Sequence, residues 1–413
     1  MILQTSAALR QRADYTHKFN TRTGRHGWLR LTPAYSLKIV EELIGECSSN
    51  LRVLDPFCGT ATTGLSAAYH GHEAVTTEIN PFLVWLGCAK VAHYSMATIQ
   101  RTRHACAAAL DLVEREGVQP VPQPPIHNIE RWWSVRELKF LCLLRAAIDA
   151  VTEQNSQERD LLLVSFCRTL ITLSNAAFNH QSMSFKRNME QELGIAHDAV
   201  AIFADDVSFV LVGAEHNPVG NCDVVEGDAR NLPKALEGKF DLVVTSPPYA
   251  NRMSYIRELR PYMYWLGYLV NARDAGELDW SAIGGTWGIA TSRLTDWKPD
   301  EGEYHCEKLE TILNHVAHED NANGQLLANY IAKYFVDMWK HFQGLRDVLA
   351  KGARVHYIVG NSTFYGVLLP VEQIYGDMLN RLGFKNVTIR PVRKRNSKKE
   401  LVEFDVSALW EGV

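Results

Sequence analysis

The chain alternates short apolar runs with long stretches of helical period. Arg52-Val-Leu-Asp55 is a brief apolar run that ends in an acid and enters Pro56-Phe57-Cys58-Gly59-Thr60-Ala61-Thr62-Thr63-Gly64. That order predicts a strand, a tight turn and a helix over 62–71. A helix over 36–47 comes before it, and Glu73-Ala-Val-Thr-Thr-Glu78 reads as a second strand. From about 82 to 215 the pattern is mainly helical. It breaks at Gln119-Pro-Val-Pro-Gln-Pro-Pro125, where each proline stops a helix and biases its predecessor to extended backbone. Within this stretch, 135–150 reads as an amphipathic helix packing with Trp132 and Trp133, and 168–177 as a helix closed by the polar Asn179-His180-Gln181-Ser182. Strands resume at Cys222-Asp-Val-Val-Glu226 and Asp241-Leu-Val-Val-Thr245. Residues 266–320 read as loop-rich, with Ile283-Gly284-Gly285-Thr-Trp287-Gly288 as either a flap or a plain turn. The stretch 325–349 carries Leu327, Ile331, Tyr334, Met338, Phe342 and Leu345 at helical spacing, a stripe that belongs to a core. A strand over 353–359, a helix over 370–382 and a final strand pair complete the pattern.

Two of the strand ends carry chemistry. The strand 241–245 runs into Ser246-Pro247-Pro248-Tyr249. Proline lacks an N–H and fixes φ, so the carbonyls here are left to accept from a ligand, and Tyr249 offers a flat face for stacking. A rim of acceptors beside an aromatic suits a nucleobase with an exocyclic amino group, although Pro-Pro also ends ordinary strands. The turn after Asp55 lies where nucleotide-like cofactors dock in open α/β sheets. It lacks the strict G-x-G-x-x-G pattern of dinucleotide sites. Glu78 ends the next strand, nineteen residues past Gly59, an offset at which an acid accepts from ribose hydroxyls. Asp228, after the third strand, is placed to accept from an adenine amino group.

Together these residues resemble the S-adenosylmethionine (AdoMet)-dependent amino-methyltransferases of DNA. The resemblance implies a Rossmann-like α/β fold with a seven-stranded, mostly parallel sheet, its last strand inserted antiparallel, and here a large mainly helical insert. It implies AdoMet as cofactor, held by Asp55, Pro56, Phe57, Gly59, Thr62 and Thr63 of the loop, by Glu78, Ile79 and Asn80, and by Asp228 and Ala229. Thr32, Pro33 and Tyr35 resemble a segment that closes over the methionine end in some members. Ser246, Pro247, Pro248 and Tyr249 take the catalytic place. Serine at the head of that motif is more typical of cytosine-N4 than of adenine-N6 enzymes. Methyl transfer from such a rim is direct and needs no covalent nucleophile. Cytosine-C5 chemistry needs a cysteine after a proline, and the chain has no Pro-Cys dipeptide. An RNA or protein methyltransferase and an inactive DNA-binding subunit of a defence complex are the alternative readings.

Composition fits a large globular enzyme: 413 residues, 46% apolar and 22% charged. Eight cysteines are scattered without a Cys-x-x-Cys pair, so no zinc site or disulfide framework is expected, and no run is long enough to span a bilayer. A cytoplasmic protein with no membrane partner is expected. The net charge of −4 places the burden of binding double-stranded DNA on local basic stretches. Arg22 and Arg25, Lys186 and Arg187, Arg252, and Arg393, Lys394 and Arg395 are the candidate DNA contacts, the last group at the tip of a hairpin. A cognate restriction endonuclease or other defence-system proteins are candidate partners. The motifs divide the chain into 1–90, with the cofactor loop; 91–215, the helical insert; 216–265, the catalytic part; 266–324, a loop-rich insert; and 325–413, the remainder of the sheet. Either insert can be the one that reads sequence.

Overall fold

The computed structural model describes residues 9–21, 23–31, 35–45, 50–177, 184–185, 198–251, 254–286, 289–300, 303–319, 323–395 and 400–412. Strands β1 (Arg52–Asp55), β2 (Glu73–Glu78), β3 (Asn221–Glu226), β4 (Phe240–Thr245), β5 (Leu349–Gly360), β6 (Lys385–Lys394) and β7 (Val402–Trp410) form one sheet in the order β3-β2-β1-β4-β5-β7-β6. The first five pair in parallel, and β7 runs antiparallel between β5 and β6. The expected α/β fold and its antiparallel last strand are borne out.

Strand order reverses at β1, which lies between β2 and β4. In open α/β sheets ligands sit in the crevice at such a switch point, beyond the carboxyl ends of the strands. Val53 pairs with Leu242 and Leu54 with Val243, so the ends of β1 and β4 bring Asp55 and Thr245 side by side. The two motifs, far apart in sequence, share one crevice because of this register.

The helical insert follows β2 as α1 (Pro81–Val91), α2 (Met96–Glu114), α3 (Val135–Val151), α4 (Gln157–Thr172) and α5 (Ala199–Ala214). Asn80 caps the first of these, its side chain accepting from Phe82 N with Pro81 at the first helical position. A capping box between Ser134 and Glu137 starts α3. The insert has its own apolar core, and α6 (Ile256–Trp265), the helix that follows the catalytic rim, is built into it. Trp265 meets Trp133 and Phe166 edge-on at 5.8 and 5.6 Å, and Tyr262 stacks on Phe82 at 5.3 Å. The insert therefore anchors the far side of the rim, whatever else it contacts.

Two expectations about local structure fail. The segment 266–320 is not loop-rich: it contains α7 (Ala272–Ser281), α8 (Ile289–Asp296) and α9 (Glu307–Glu319). Their buried stripes are thin, only Ala275, Gly276 and Asp279 in α7 and Leu309 and Val316 in α9, so the periodicity is weak. The start of α7 is fixed by a capping box of Asn271 with Asp274. The helix expected over 168–177 instead ends at Thr172, and Ala176–Ala177 pairs antiparallel with Ser184–Phe185. His180 and Gln181 lie outside the described residues. The stripe in the long helix α10 (Gly324–Val348) is core as expected, packed with Val355, Tyr357 and Tyr375 of α11 (Val371–Arg381) and the sheet. Among the described residues no helix is long and apolar enough to cross a membrane.

Candidate active site

The turn after β1 is held from several sides. Gly59 takes φ of +52°, in the left-handed region that glycine adopts without strain. Cys58 N donates to Thr77 O at 2.9 Å and Thr77 Oγ1 to Pro56 O at 3.0 Å, tying the turn to the end of β2. Glu78 spans the gap: Oε2 accepts from Gly59 N at 2.8 Å and Oε1 from Asn80 N at 3.0 Å. The Glu78 side chain lines the cavity. Burial pushes the Glu78 carboxyl up to about 7, against the pull of these backbone N–H groups.

Asp55 is fully buried at the crevice. Its Oδ1 accepts from Thr245 Oγ1 at 2.6 Å and from Phe57 N at 3.0 Å, a direct link between the cofactor loop and the catalytic strand. Its Oδ2 is buried without a protein partner. Burial raises the Asp55 carboxyl to about 6. Tyr35 donates its hydroxyl proton to Thr63 Oγ1, which donates to Val244 O at 2.9 Å, so the N-terminal segment is fastened over the same loop.

The rim at the end of β4 is equally fixed. Ser246 Oγ donates to Ile358 O at 2.9 Å, which commits its proton and leaves the hydroxyl oxygen as an acceptor. Pro248 O accepts from Tyr334 Oη at 2.8 Å, and Tyr334 is itself hydrogen-bonded to Tyr375 Oη at 2.7 Å, so α10 and α11 support the rim from below. Tyr249 N donates to Tyr255 Oη at 3.1 Å.

One cavity connects these parts. Its lining includes Phe57, Gly59, Glu78 and Asp228 together with Ser246, Pro247, Pro248 and Tyr249. The cofactor-loop residues Pro56 and Thr62, with Ile79, Asn80 and Ala229, also line it, whereas Thr63 acts through Tyr35 and Val244. No protein-family model matches the chain. Full-length comparison does find relatives. The chain is 22% identical to the type II methyltransferase M.BsoBI of Geobacillus stearothermophilus, over 96% of this chain and 86% of that protein. It is 22% identical to the type II methyltransferase M.MvaI of Kocuria varians, over 80% and 74%. It is 21% identical to the type II methyltransferase M.AvaI of Nostoc sp., over 91% and 83%. The chain is a homologue of the type II methyltransferases. That bears out the resemblance to DNA methyltransferases. Among solved structures, the chain is similar to the rRNA methyltransferase aviRa from Streptomyces viridochromogenes at 10% identity and a TM-score of 0.27, over 91% of this chain and 86% of that one, a likeness too low to carry an argument.

Asp228 is not a bare acceptor. Arg230 embraces it, with Nε and Nη2 at 2.7–3.0 Å from its oxygens, and also reaches Asp337 Oδ1 at 3.0 Å and Ser281 O at 2.6 Å. Burial works to raise the Asp228 carboxyl, and the guanidinium more than offsets it, so the group sits below its ordinary value. The acid stays ionised, with its orientation set by Arg230.

The basic stretches fare differently from expectation. Arg25 is fully buried. It donates to Gly213 O, Lys90 O and Ala214 O, each at 3.0 Å, and to Asn217 Oδ1 at 2.7 Å. These are carbonyls at the C-terminal ends of α1 and α5, which lack partners within their own helices. Arg25 is thus a helix-end clamp and is removed from the DNA surface. Arg393 and Arg395 turn into the cavity rather than out from a hairpin tip. Arg393 pairs with Glu403 across the strand pair at 2.7 Å, both largely buried. Lys394 N donates to Arg10 O at 3.2 Å. Thr32, Pro33, Arg22, Lys186, Arg187 and Arg252 lie outside the described residues.

The sequence reading missed several lining residues, among them Tyr15, Tyr255, Asp279 and Glu403. Glu403 and Asp405 had a signal. Two acids at period two within the apolar β7 stand opposite Arg393 and Arg390 in β6, the pattern of cross-strand ion pairs. The part of the cavity formed by Ser281, Ala282, Ile283 and Gly285 belongs to the segment expected to be a flap or a turn.

Proposed function

We propose that the protein is a site-specific, AdoMet-dependent DNA methyltransferase that methylates the exocyclic amino nitrogen of a flipped base, cytosine N4. The observation that carries this reading is the single cavity joining the Asp55–Glu78 loop to the Ser246–Tyr249 rim. The loop fits the cofactor on its own chemistry. Glu78, which lines the cavity, suits vicinal ribose hydroxyls, and Asp55, fully buried and outside the lining, ties the loop to the catalytic strand through Thr245. The oriented Asp228 suits an adenine amino group. Bound AdoMet supplies an electrophilic methyl on a sulfonium.

The chain's own residues then have one task, to place a nitrogen lone pair. An amino nitrogen within the duplex is paired and out of reach, so the base has to leave the stack, at a cost of about a few kcal/mol. Stacking on Tyr249 offsets that cost by about 1–3 kcal/mol. Ser246 Oγ and the Pro247 carbonyl accept the two amino protons, which directs the nitrogen lone pair away from the rim and toward the cofactor side of the cavity. With AdoMet bound, the cofactor would supply the methyl group and leave as the thioether, and the displaced amino proton would pass to solvent. Positioning supplies most of the rate.

Relatives named as type II methyltransferases support DNA as the substrate, and a restriction endonuclease of matching specificity as a partner. The discriminating assay measures transfer of labelled methyl from AdoMet to duplex DNA, to transfer RNA and to protein. Incorporation into duplex DNA alone is expected. Incorporation into RNA or protein alone replaces this reading by one of the alternatives, and AdoMet binding without transfer to any of them supports the inactive subunit.

A further inference from the structure

Tyr249 is clamped at two points by side chains from the β6–β7 end of the sheet. Its hydroxyl donates to Glu403, whose carboxylate is held in turn by Arg393 at 2.7 Å. The guanidinium of Arg395 lies over the Tyr249 ring, 4.6 Å from its centroid. That guanidinium has a seat of its own. Arg395 Nη1 donates to Asn361 O at 2.8 Å, and the chain passes so close to Gly360 that a Cβ there would lie 2.3 Å from Nη1. Arg395, Tyr249 and Glu403 all line the cavity.

A surface arginine that contacts DNA phosphate needs none of this. It needs freedom to reach the backbone, and here one guanidinium nitrogen is bound to a carbonyl while the group lies over a ring. We infer that Arg395 is a positioning residue: it covers one face of Tyr249 and, with the Glu403 tether on the hydroxyl, fixes the ring so that the opposite face receives the flipped base. The inference rests on the proposed role of Tyr249 as the stacking platform. A planar cation on an aromatic face is favourable, and it also excludes water from that face. A ring held at both its edge and its face loses little freedom when a base lands on it, which lowers the cost of capture.

Two substitutions disturb this seat in different ways. Arg395→Ala removes the cation. Gly360→Ala leaves every charge in place and displaces the guanidinium with one methyl group, at a position whose backbone is not in the left-handed region. After the modified sites are mapped, kcat and KM are measured on a duplex with the target base paired and on one with it mispaired. The salt dependence of DNA binding is measured in parallel. Each variant is expected to lose about tenfold in kcat on the paired target, the scale of one cation–π contact with its ring ordering. The loss should shrink to about twofold on the mispaired target, because an unpaired base costs less to extrude. The double variant should be no worse than Arg395→Ala, the KM for AdoMet should not move, and the salt slope should stay as in the wild type.

Wild-type kcat in folded Arg395→Ala protein overturns the inference while leaving the proposed function standing, provided Tyr249→Ala is impaired. A salt slope lower by about one phosphate contact also overturns it, and returns Arg395 to the DNA backbone. Full activity in Tyr249→Ala removes the stacking platform itself, and both readings fall together.

Discussion

Tyr249→Ala and Ser246→Ala are each expected to lower methyl transfer by about five- to a hundred-fold while leaving AdoMet affinity within about twofold. The first removes a stacking surface worth about 1–3 kcal/mol. The second removes an acceptor for an amino proton and leaves the Ile358 carbonyl without its donor, together about 1–3 kcal/mol. Neither side chain bonds to the cofactor loop, so calorimetric titration with AdoMet separates the two effects. Tyr249→Phe should fall between wild type and alanine, since it keeps the ring and loses only the tether to Glu403. Loss of AdoMet binding in step with activity would show that the rim supports the loop and not the base.

Glu78→Gln is expected to weaken AdoMet binding by about 1.5–3 kcal/mol, roughly ten- to a hundred-fold, with the fold intact. The same group predicts a pH dependence. Its carboxyl moves from an ordinary 4.5 to about 7, and that of Asp55 from 3.8 to about 6. In both, the folded protein holds the proton more tightly than the unfolded chain. The unliganded fold therefore loses stability as pH rises from about 4 to about 7, and keeps that stability below the unfolded values. Cofactor binding runs the other way, because ionised carboxylates are the better acceptors. AdoMet affinity should rise as pH passes through about 7 and level off above, a window set by the raised Glu78 value. In Glu78→Gln that rise should flatten. Calorimetry at several pH values reads both; a flat wild-type profile would mean that the cofactor does not meet Glu78.

The parts of the site that were legible in the sequence are the local ones. The strand, glycine turn and helix from Arg52 to Tyr69 announce themselves by apolar run, turn chemistry and small residues, and Glu78 follows within one βα unit. The stripe of the long helix α10 was legible because five of its apolar positions are buried at a regular spacing. What stayed hidden depends on partners remote in sequence. Arg25 looks like any basic residue in a basic segment. Only the fold brings the carbonyl of Gly213, 188 residues away, to its guanidinium. Arg393 and Arg395 read as a charged hairpin tip because the counterion Glu403 and the Tyr249 ring are reached through the strand pairing and the sheet, not through proximity along the chain. The helices between 266 and 320 were missed for another reason. The start of α7 is set by a capping box and the apolar faces of α7 and α9 are narrow, so periodicity alone carries little signal.

The division of labour between the inserts follows from packing. The helices after β2 and the helix after the rim share one core, so the insert acts first as a scaffold for the rim. Arg230 adds a second link, joining Asp228 to Asp337 in α10 and to the Ser281 carbonyl.

The central claim is that the Ser246–Tyr249 rim presents an exocyclic amino nitrogen of a flipped base to the methyl donor. Mass spectrometry of nucleosides released from duplex DNA treated with the protein and AdoMet tests it most directly. N4-methylcytosine is expected; N6-methyladenine would retain the rim chemistry and change the base, and 5-methylcytosine would overturn transfer to an amino nitrogen, because methylation at that carbon requires a covalent nucleophile that this rim does not supply.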